Sequence, residues 1–373
     1  ADRAVELRQR GGNLYCHIVG TPVFPIETRS DRAGNPGVLP QWGLGQPPQD
    51  YLQLRAGDFY FTNEVTDAVF RARQRGVYVV GLSVPYLPSK FSLLGKLIIQ
   101  PDWYTIEDVS NVVLYSQVPY QDGLVFFPEI PVVPVCPGSA ISEIILYWMM
   151  VAEITHKLTA EITYPFVSRA RDYLETVIDR LYQFEKQLGV IRTAASQMAE
   201  NIGTGHKLYV YSNPPSLIAE ACNRASGLML TQPLELETLQ KRDNLIIGAE
   251  SSNDSNDMII AEQARNKGAF VVAICPFHTE GDSSGLRLSK LVDIAIDNLS
   301  GESGGVISLA NRPEKICPTS GLLNLVLLWM LTAELIGRMI RLGLVPYVYM
   351  GTHLQGGKEY NDAIRPFFLE RGY

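Results

Sequence analysis

Cysteine is scarce in this chain, and no two cysteines lie close together. The five thiols, Cys16, Cys136, Cys222, Cys275 and Cys317, are odd in number, widely spaced and mostly inside apolar runs. Without CxxC-type spacing they build neither a disulfide framework nor a zinc site; buried thiols in a reducing compartment fit better, so the expected location is cytoplasmic. Charge is also sparse: 19% of residues are charged, the formal net charge is −7 and the pI is near 5.4. No Lys/Arg block interleaved with aromatics occurs, so nucleic acid is not an expected partner. No GxSxG elbow, Walker-type loop, GxGxxG or metal-ligand spacing is present, and neither a cofactor nor a metal is implied. No apolar run reaches the roughly 20 residues of a membrane span. Residues 320–336 and 141–154 come nearest, but they carry Glu334, Glu143 and Glu153. Both are expected as buried helices of a soluble protein, with no membrane partner. The first eight residues are charged and lack the apolar centre of a signal peptide; a leader removed before Ala1 stays compatible with this.

What is present is core material. Hydrophobic residues make up 46% of 373, and at about 150 residues per domain the length predicts two or three domains. The most informative stretch is 244–257. A short apolar run, Leu245, Ile246 and Ile247, reads as a buried strand and ends in Glu250, Ser251, Ser252, Asn253, Asp254, Ser255, Asn256 and Asp257. Residues 258–268 then read as a helix ending at Gly268, and 269–274 as another strand. Strand, polar loop, helix, strand is one βαβ unit of a parallel sheet. Ligands of such sheets sit at the carboxyl ends of strands, by helix N-termini, where backbone N–H groups and serine hydroxyls can hold an anion. Simple helix capping is the competing reading, since Ser, Asn and Asp are the preferred caps; one cap, however, needs one residue, not a run.

Along the rest of the chain, strands are expected at 13–19, 57–61, 77–82, 207–211, 291–296 and 306–309. Helices are expected before residue 11, at 63–75, 139–159, 166–204 (broken near Gly189), 216–225, 320–342 and after Lys358. Residues 20–50 are rich in Pro and Gly and read as a long loop. The halves repeat. Cys-Pro-Gly-Ser at 136–139 and Cys-Pro-Thr-Ser at 317–320 are followed, without a gap, by Trp148-Met149 against Trp329-Met330 and by Ala152-Glu153 against Ala333-Glu334. A repeat this long implies two copies of a domain rather than a solenoid.

The order of elements resembles the sugar isomerase (SIS) fold, present twice. The Pro-Thr-Ser loop opening helix 320, the Ala219-Glu220…Arg224-Ala225 stretch and the Gly356-Gly357…Glu359…Asn361 stretch make the second copy similar to phosphosugar-binding SIS proteins. The resemblance implies an α/β protein of two SIS-like domains, each a mostly parallel sheet with helices on both faces: 1–160 with a degenerate site, 161–355 with the working site, and a tail helix over 356–373. It also implies a sugar or sugar phosphate as partner. Separately, helix 139–154 is apolar almost all round and must be covered on every side, so a homo-oligomer, at least a dimer, through the long apolar helices is expected. Departures bear on the ligand. The usual Ser-x-Ser-Gly-x-Thr loop is here more acidic and lacks its glycine, and the first copy's loop, 62–66, has no serine. Carboxylates in a phosphate cradle repel the ligand by about 1 kcal/mol or more per close pair, which leaves a neutral or amino sugar open.

The implied reaction, aldose–ketose isomerisation, needs a carboxylate base and a histidine or similar group. Glu302, between two strands, and Glu250, beside the serines, are the candidate bases. His278, after a strand end, and His353, by Gly356 and Gly357, are the candidate histidines; each is alternatively a surface residue. His206 precedes its strand and lies at the wrong end of the sheet. The expected pocket is lined by Ser212, Ser216, Ser251, Ser252, Ser255, Thr319 and Ser320, hydroxyls at helix N-termini after successive strands. A non-catalytic sugar-binding, regulatory or scaffold protein is the other reading.

Overall fold

The computed structural model describes residues 1–41, 53–84, 104–119, 121–160, 167–278, 285–301, 304–352 and 354–373. Glu302 and His353 lie outside these residues. The chain forms two compact units. The first comprises Ala1–Tyr120, Ser139–Thr176 and Gly304–Pro318; the second comprises Gln121–Gly138, Val177–Ser303 and Thr319–Tyr373.

In the first unit, α1 (Asp2–Gln9) leads into β1 (Leu14–His17) and the short α2 (Phe24–Glu27). Then come β2 (Phe59–Thr62), α3 (Asp67–Gln74), β3 (Tyr78–Ser83), α4 (Ile106–Val109) and β4 (Val112–Tyr115). The four strands form one parallel sheet in the order β1-β2-β3-β4, and an isolated parallel bridge sets Gln41 beside Cys16. Alternation sorts the side chains: Tyr60 and Val79 pack with Val69, Ala72, Ile106 and Val109 of the two helices on one face. The α2 helix interrupts the expected 20–50 loop because Phe24 finds a fully buried place there.

After β5 (Gly123–Val125) and β6 (Val135–Pro137), which form an antiparallel hairpin in the second unit, comes α5 (Ser139–Thr159). This helix packs on α1 and α2. The chain continues through α6 (Arg169–Gln183), a 3-10 turn (Phe184–Gln187) and α7 (Leu188–Gly203). The first unit is completed by a segment from far along the chain. There Cys317 N–H donates to Gly34 O at 2.9 Å. Gly34 has φ +81°, and a Cβ on it would stand 1.3 Å from Gly304 O, so only glycine fits that approach.

The second unit continues with β7 (Leu208–Ser212), α8 (Ser216–Ala221), β8 (Thr231–Pro233), β9 (Asn244–Gly248), α9 (Ser255–Asn266), β10 (Phe270–Cys275), α10 (Leu288–Leu291) and β11 (Ile294–Asp297). These five strands form a parallel sheet in the order β11-β10-β9-β7-β8. On one face Tyr209, Leu245, Ile247, Val271 and Ala273 meet Ala261 and Ala264 of α9. On the other lie α7 and α11 (Ser320–Arg341), which pack on each other. Leu325, Leu328, Leu331 and Leu335 of α11 are buried, each worth about 1.5–3 kcal/mol against exposure. Among the described residues α11 is the one helix long and apolar enough to cross a membrane, and 67% of that window is buried inside the fold. The last helix is α12 (Gly357–Arg371).

Further elements differ from expectation. Residues 307–309 form β12 (Ile307–Leu309), paired antiparallel with β13 (Arg312–Ile316) and not part of a parallel sheet. The helix expected over 216–225 stops at Ala221, where Cys222 turns extended. The helix expected from 258 starts three residues earlier, because Asp254 caps it and draws the polar run into its first turn.

Candidate functional site

Every strand of the second sheet ends at one edge, and the hydroxyl-bearing loops collect there. Ser212 closes β7 opposite Gly248 of β9. Its Oγ accepts from Leu217 N–H at 3.0 Å, tying the strand end to α8. Gly248 packs closely on α8: a Cβ there would stand 2.3 Å from Leu217 Cδ2, so a larger residue would have to displace that side chain. Ser216 opens α8, is buried, and its Oγ lies 3.4 Å from Pro214 O, to which it donates.

The loop after β9 satisfies much of its own backbone. Ser251 Oγ donates to Asn253 Oδ1 at 2.8 Å and accepts from Asn253 N–H at 3.4 Å. Asp254 Oδ1 accepts from Asn256 N–H at 2.9 Å and Asp257 N–H at 3.1 Å. Ser252 is buried and its carbonyl accepts from Leu288 N–H, while Ser255 is exposed at the start of α9. Three N–H groups of this turn are thus taken by the loop's own side chains.

Asp257 lies in the first turn of α9, 1% exposed, and among the described residues neither carboxyl oxygen has a hydrogen-bond partner. Its charge is felt at Tyr211, the penultimate residue of β7, and at Cys275, the last of β10, so the carboxyl lies over the end of β9. Burial, then Asp254, then Glu250, push its pKa up to about 7. The carboxyl is therefore an acid poised near neutrality, of the kind that acid–base sites use.

A pair of asparagines joins the β9 loop to the loop after β11 and to α11. Asn298 Nδ2 donates to Asn324 Oδ1 at 2.7 Å, and Asn324 Nδ2 donates to Ala249 O at 3.0 Å. Ser300 donates from N–H and Oγ to Asn298 Oδ1 at 3.0 and 2.7 Å. Ser320 stands one turn before Asn324 on the same helix face. Beside it Thr319, the N-cap of α11, accepts from the buried guanidinium of Arg180 on α6.

The structure thus brings Ser251, Ser252, Thr319 and Ser320 to one edge, with Ser212 and Ser216 on the α8 side of β9 and Ser255 at the exposed start of α9. Glu250 is half-buried beside Ser251. His278 is exposed after β10, its Nδ1 2.7 Å from Arg287 Nη1; the close approach of Gly301 to His278 O brings the two loops together. Sequence reasoning missed Arg180, Asn298 and Asn324. Asn324 had a signal, being the lone amide between Gly321 and Met330 of an apolar helix; Arg180, one of several charges on α6, had none.

No family model matches the chain. The UPF0309 protein of Listeria innocua is 27% identical over 231 residues, spanning 53% of this chain and 92% of that protein. The UPF0309 protein of Halalkalibacterium halodurans is 25% identical over 233 residues, with the same two shares, 53% and 92%. Among solved structures, the C-terminal domain of glucosamine-fructose-6-phosphate aminotransferase from Francisella tularensis superposes with a TM-score of 0.50 at 11% identity, covering 93% of this chain and 89% of that one. A candidate phosphosugar isomerase from Clostridium difficile gives 0.50 at 9% identity, covering 95% and 91%. Identities this low speak for the fold alone, an α/β fold of parallel sheets flanked by helices.

Proposed function

We propose that the chain binds a sugar phosphate at the carboxyl edge of the second unit's sheet and acts on it as an aldose–ketose isomerase-type enzyme. The observation that carries the binding is the Arg180–Thr319 pair. A buried guanidinium, a hydroxyl and the positive end of a 22-residue helix converge at one point, and each favours an anion. The phosphate therefore belongs at the start of α11 rather than on N–H groups 253, 256 and 257, which Ser251 and Asp254 occupy. The sugar then extends toward the serine loop, where Asp257 and Glu250 supply the carboxylates that move a proton between adjacent carbons. His278 stands after the neighbouring strand to serve the sugar's oxygens.

A second reading, a non-catalytic sugar-binding regulatory or scaffold protein, is favoured by one observation: the serine loop is largely satisfied by itself, as a turn that needs no ligand. Calorimetric titration with a hexose 6-phosphate and the plain hexose, alongside an NMR assay for the isomerised sugar, separates the readings. Arg180→Gln is expected to weaken phosphate-ester binding ten- to a hundredfold, about 1.5–3 kcal/mol, and Ser252→Ala with Ser255→Ala to weaken sugar binding less. Equal affinity for the two sugars sinks the phosphate site; binding without turnover leaves the regulatory reading.

The proposal includes a cytoplasmic location, self-association and an origin by duplication, with domains near 1–160 and 161–355. Duplication is supported by paired details. Cys136 and Cys317 both have φ +63°. Cys136 Sγ points to Trp329 O at 3.4 Å, and Cys317 Sγ to Trp148 O at 3.5 Å. A buried Glu–Arg pair occurs in each unit, Glu27 with Arg32 and Glu220 with Arg224. A superposition of the two sheets that leaves Trp148 far from Trp329 refutes it.

A further inference from the structure

At the carboxyl edge of the first unit's sheet, three residues from two neighbouring strands and the loop behind them form a second polar centre. His17 is the last residue of β1, and its register partner is Thr62, the last of β2. Two residues on, Glu64 reaches back so that its Oε2 lies 3.0 Å from His17 Nδ1. The same oxygen accepts from the hydroxyl of Tyr60, fully buried, at 2.8 Å. The loops are locked together beside this contact: Asn63 Oδ1 accepts from Val19 N–H and Asn63 Nδ2 donates to Val19 O, both at 2.8 Å. The N-terminal turn of α5 closes the same edge, with Ser142 Oγ donating to Ser116 O, just past β4, at 2.9 Å. The buried carboxyl of Glu143 faces Cys16 from that helix.

A carboxylate bonded to one nitrogen of an imidazole sets the tautomer. A glutamate oxygen that accepts from Nδ1–H leaves the lone pair of the ring on Nε2. The carboxylate also stabilises the imidazolium formed when Nε2 takes a proton, the division of labour found in histidine-based catalytic sites. Tyr60 holds the carboxylate from the core side. The pair is reachable: the His17 side chain is 16% and the Glu64 side chain 10% exposed.

We propose that His17 is the general base of a second, proton-transferring site in the first unit, with Glu64 as its positioning residue. Acidic Glu64 stands against the imidazole, a poor neighbour for a phosphate ester, so the substrate class is an uncharged or amino sugar in its open-chain hydroxycarbonyl form. His17 Nε2 removes the proton on the carbon next to the carbonyl. That C–H bond breaks, its electron pair forms the enediolate, and the N–H bond forms on the imidazole. Return of a proton from the imidazolium to carbon restores the neutral sugar, with no net oxidation or reduction. The site is independent of the sugar-phosphate pocket proposed in the second unit.

The test is deuterium uptake at carbon, followed by proton NMR of dihydroxyacetone, D-fructose and D-fructosamine in D2O with the full chain. The wild-type protein is expected to exchange at least one probe well above the buffer rate, and His17→Gln to lose about a hundredfold or more of that excess. Glu64→Gln is expected to lose part of it and to move the His17 proton from Nδ1 toward Nε2, seen in the nitrogen-15 spectrum of the imidazole. Circular dichroism melting of each variant checks folding, with His17→Asn as a second replacement. Wild-type exchange at the buffer rate with all three probes, full exchange by a folded His17 variant, or a wild-type imidazole already protonated on Nε2, overturns the proposal.

Discussion

The indole Nε1–H of Trp329 donates to Glu220 Oε1 at 3.3 Å, inside the second unit. The same oxygen accepts from Arg224 Nε at 3.4 Å, and Arg224 Nη2 donates to Asp122 Oδ2 at 3.3 Å. Glu220 is fully buried, and among the described residues its other oxygen has no partner. Burial dominates, and despite Arg224 the pKa is pushed up to about 7 from 4.5. The folded state therefore holds this proton more tightly than the unfolded chain does. Its contribution to stability is fully present below about pH 4.5 and is lost as pH rises through about 7, a change on the order of 3 kcal/mol for an isolated group. Asp257, raised from 3.8 to about 7, acts in the same direction. Urea unfolding midpoints of wild type should fall between pH 5 and 7.5, and those of Glu220→Gln with Asp257→Asn should fall much less. Equal slopes for the two proteins count against both assignments.

Asp254 offers a way to tune the serine loop. Asparagine caps a helix as well as aspartate does, so Asp254→Asn should keep α9 while removing the charge nearest Asp257. With the phosphate at the start of α11, the asparagine variant should bind a hexose 6-phosphate about as wild type does and should lower the Asp257 pKa, which the Asp254 charge helps to raise after burial. Asp254→Ala should instead cost about 1 kcal/mol of stability through the lost cap. Titration and thermal melting of the two variants check this; much tighter phosphate-ester binding by the asparagine variant would place the anion at the serine loop instead of at α11.

The β5–β6 hairpin carries Leu124, Phe126 and Val132, 57%, 62% and 49% exposed. Such a cluster marks an interaction surface more often than isolated exposed apolar residues do. Light scattering at micromolar concentration is expected to show at least a dimer, and Leu124→Asp with Phe126→Asp to shift it toward monomer. A monomeric wild type contradicts the self-association.

The fold was legible where period and punctuation agreed. The run over 244–248 and its polar loop announced a strand entering a helix, and Ser320 with its apolar sequel announced α11. Element limits failed where a side chain overrode composition, as when Asp254 extended α9 by a turn. Candidate hydroxyls could be placed because strand ends share an edge. Arg180 and Asn298 could not, since their partners Thr319 and Asn324 lie 139 and 26 residues away and no local pattern encodes such contacts. His17 was likewise invisible: its meaning comes from Glu64, 47 residues on, in a loop that looked empty for want of serine.

The first unit takes in Gly304–Pro318, and this has a consequence for synthesis. On the ribosome, a nascent chain that has reached residue 176 already contains all four strands of the first sheet, yet Gly34 still lacks the Gly304 and Cys317 backbone it packs and bonds with. That piece emerges only after the second sheet has been translated. Contacts of such long sequence separation raise the contact order and slow the closing step of folding. The first unit is thus the earlier to begin and cannot be the earlier to finish, and its native state becomes accessible only when nearly the whole polypeptide is available.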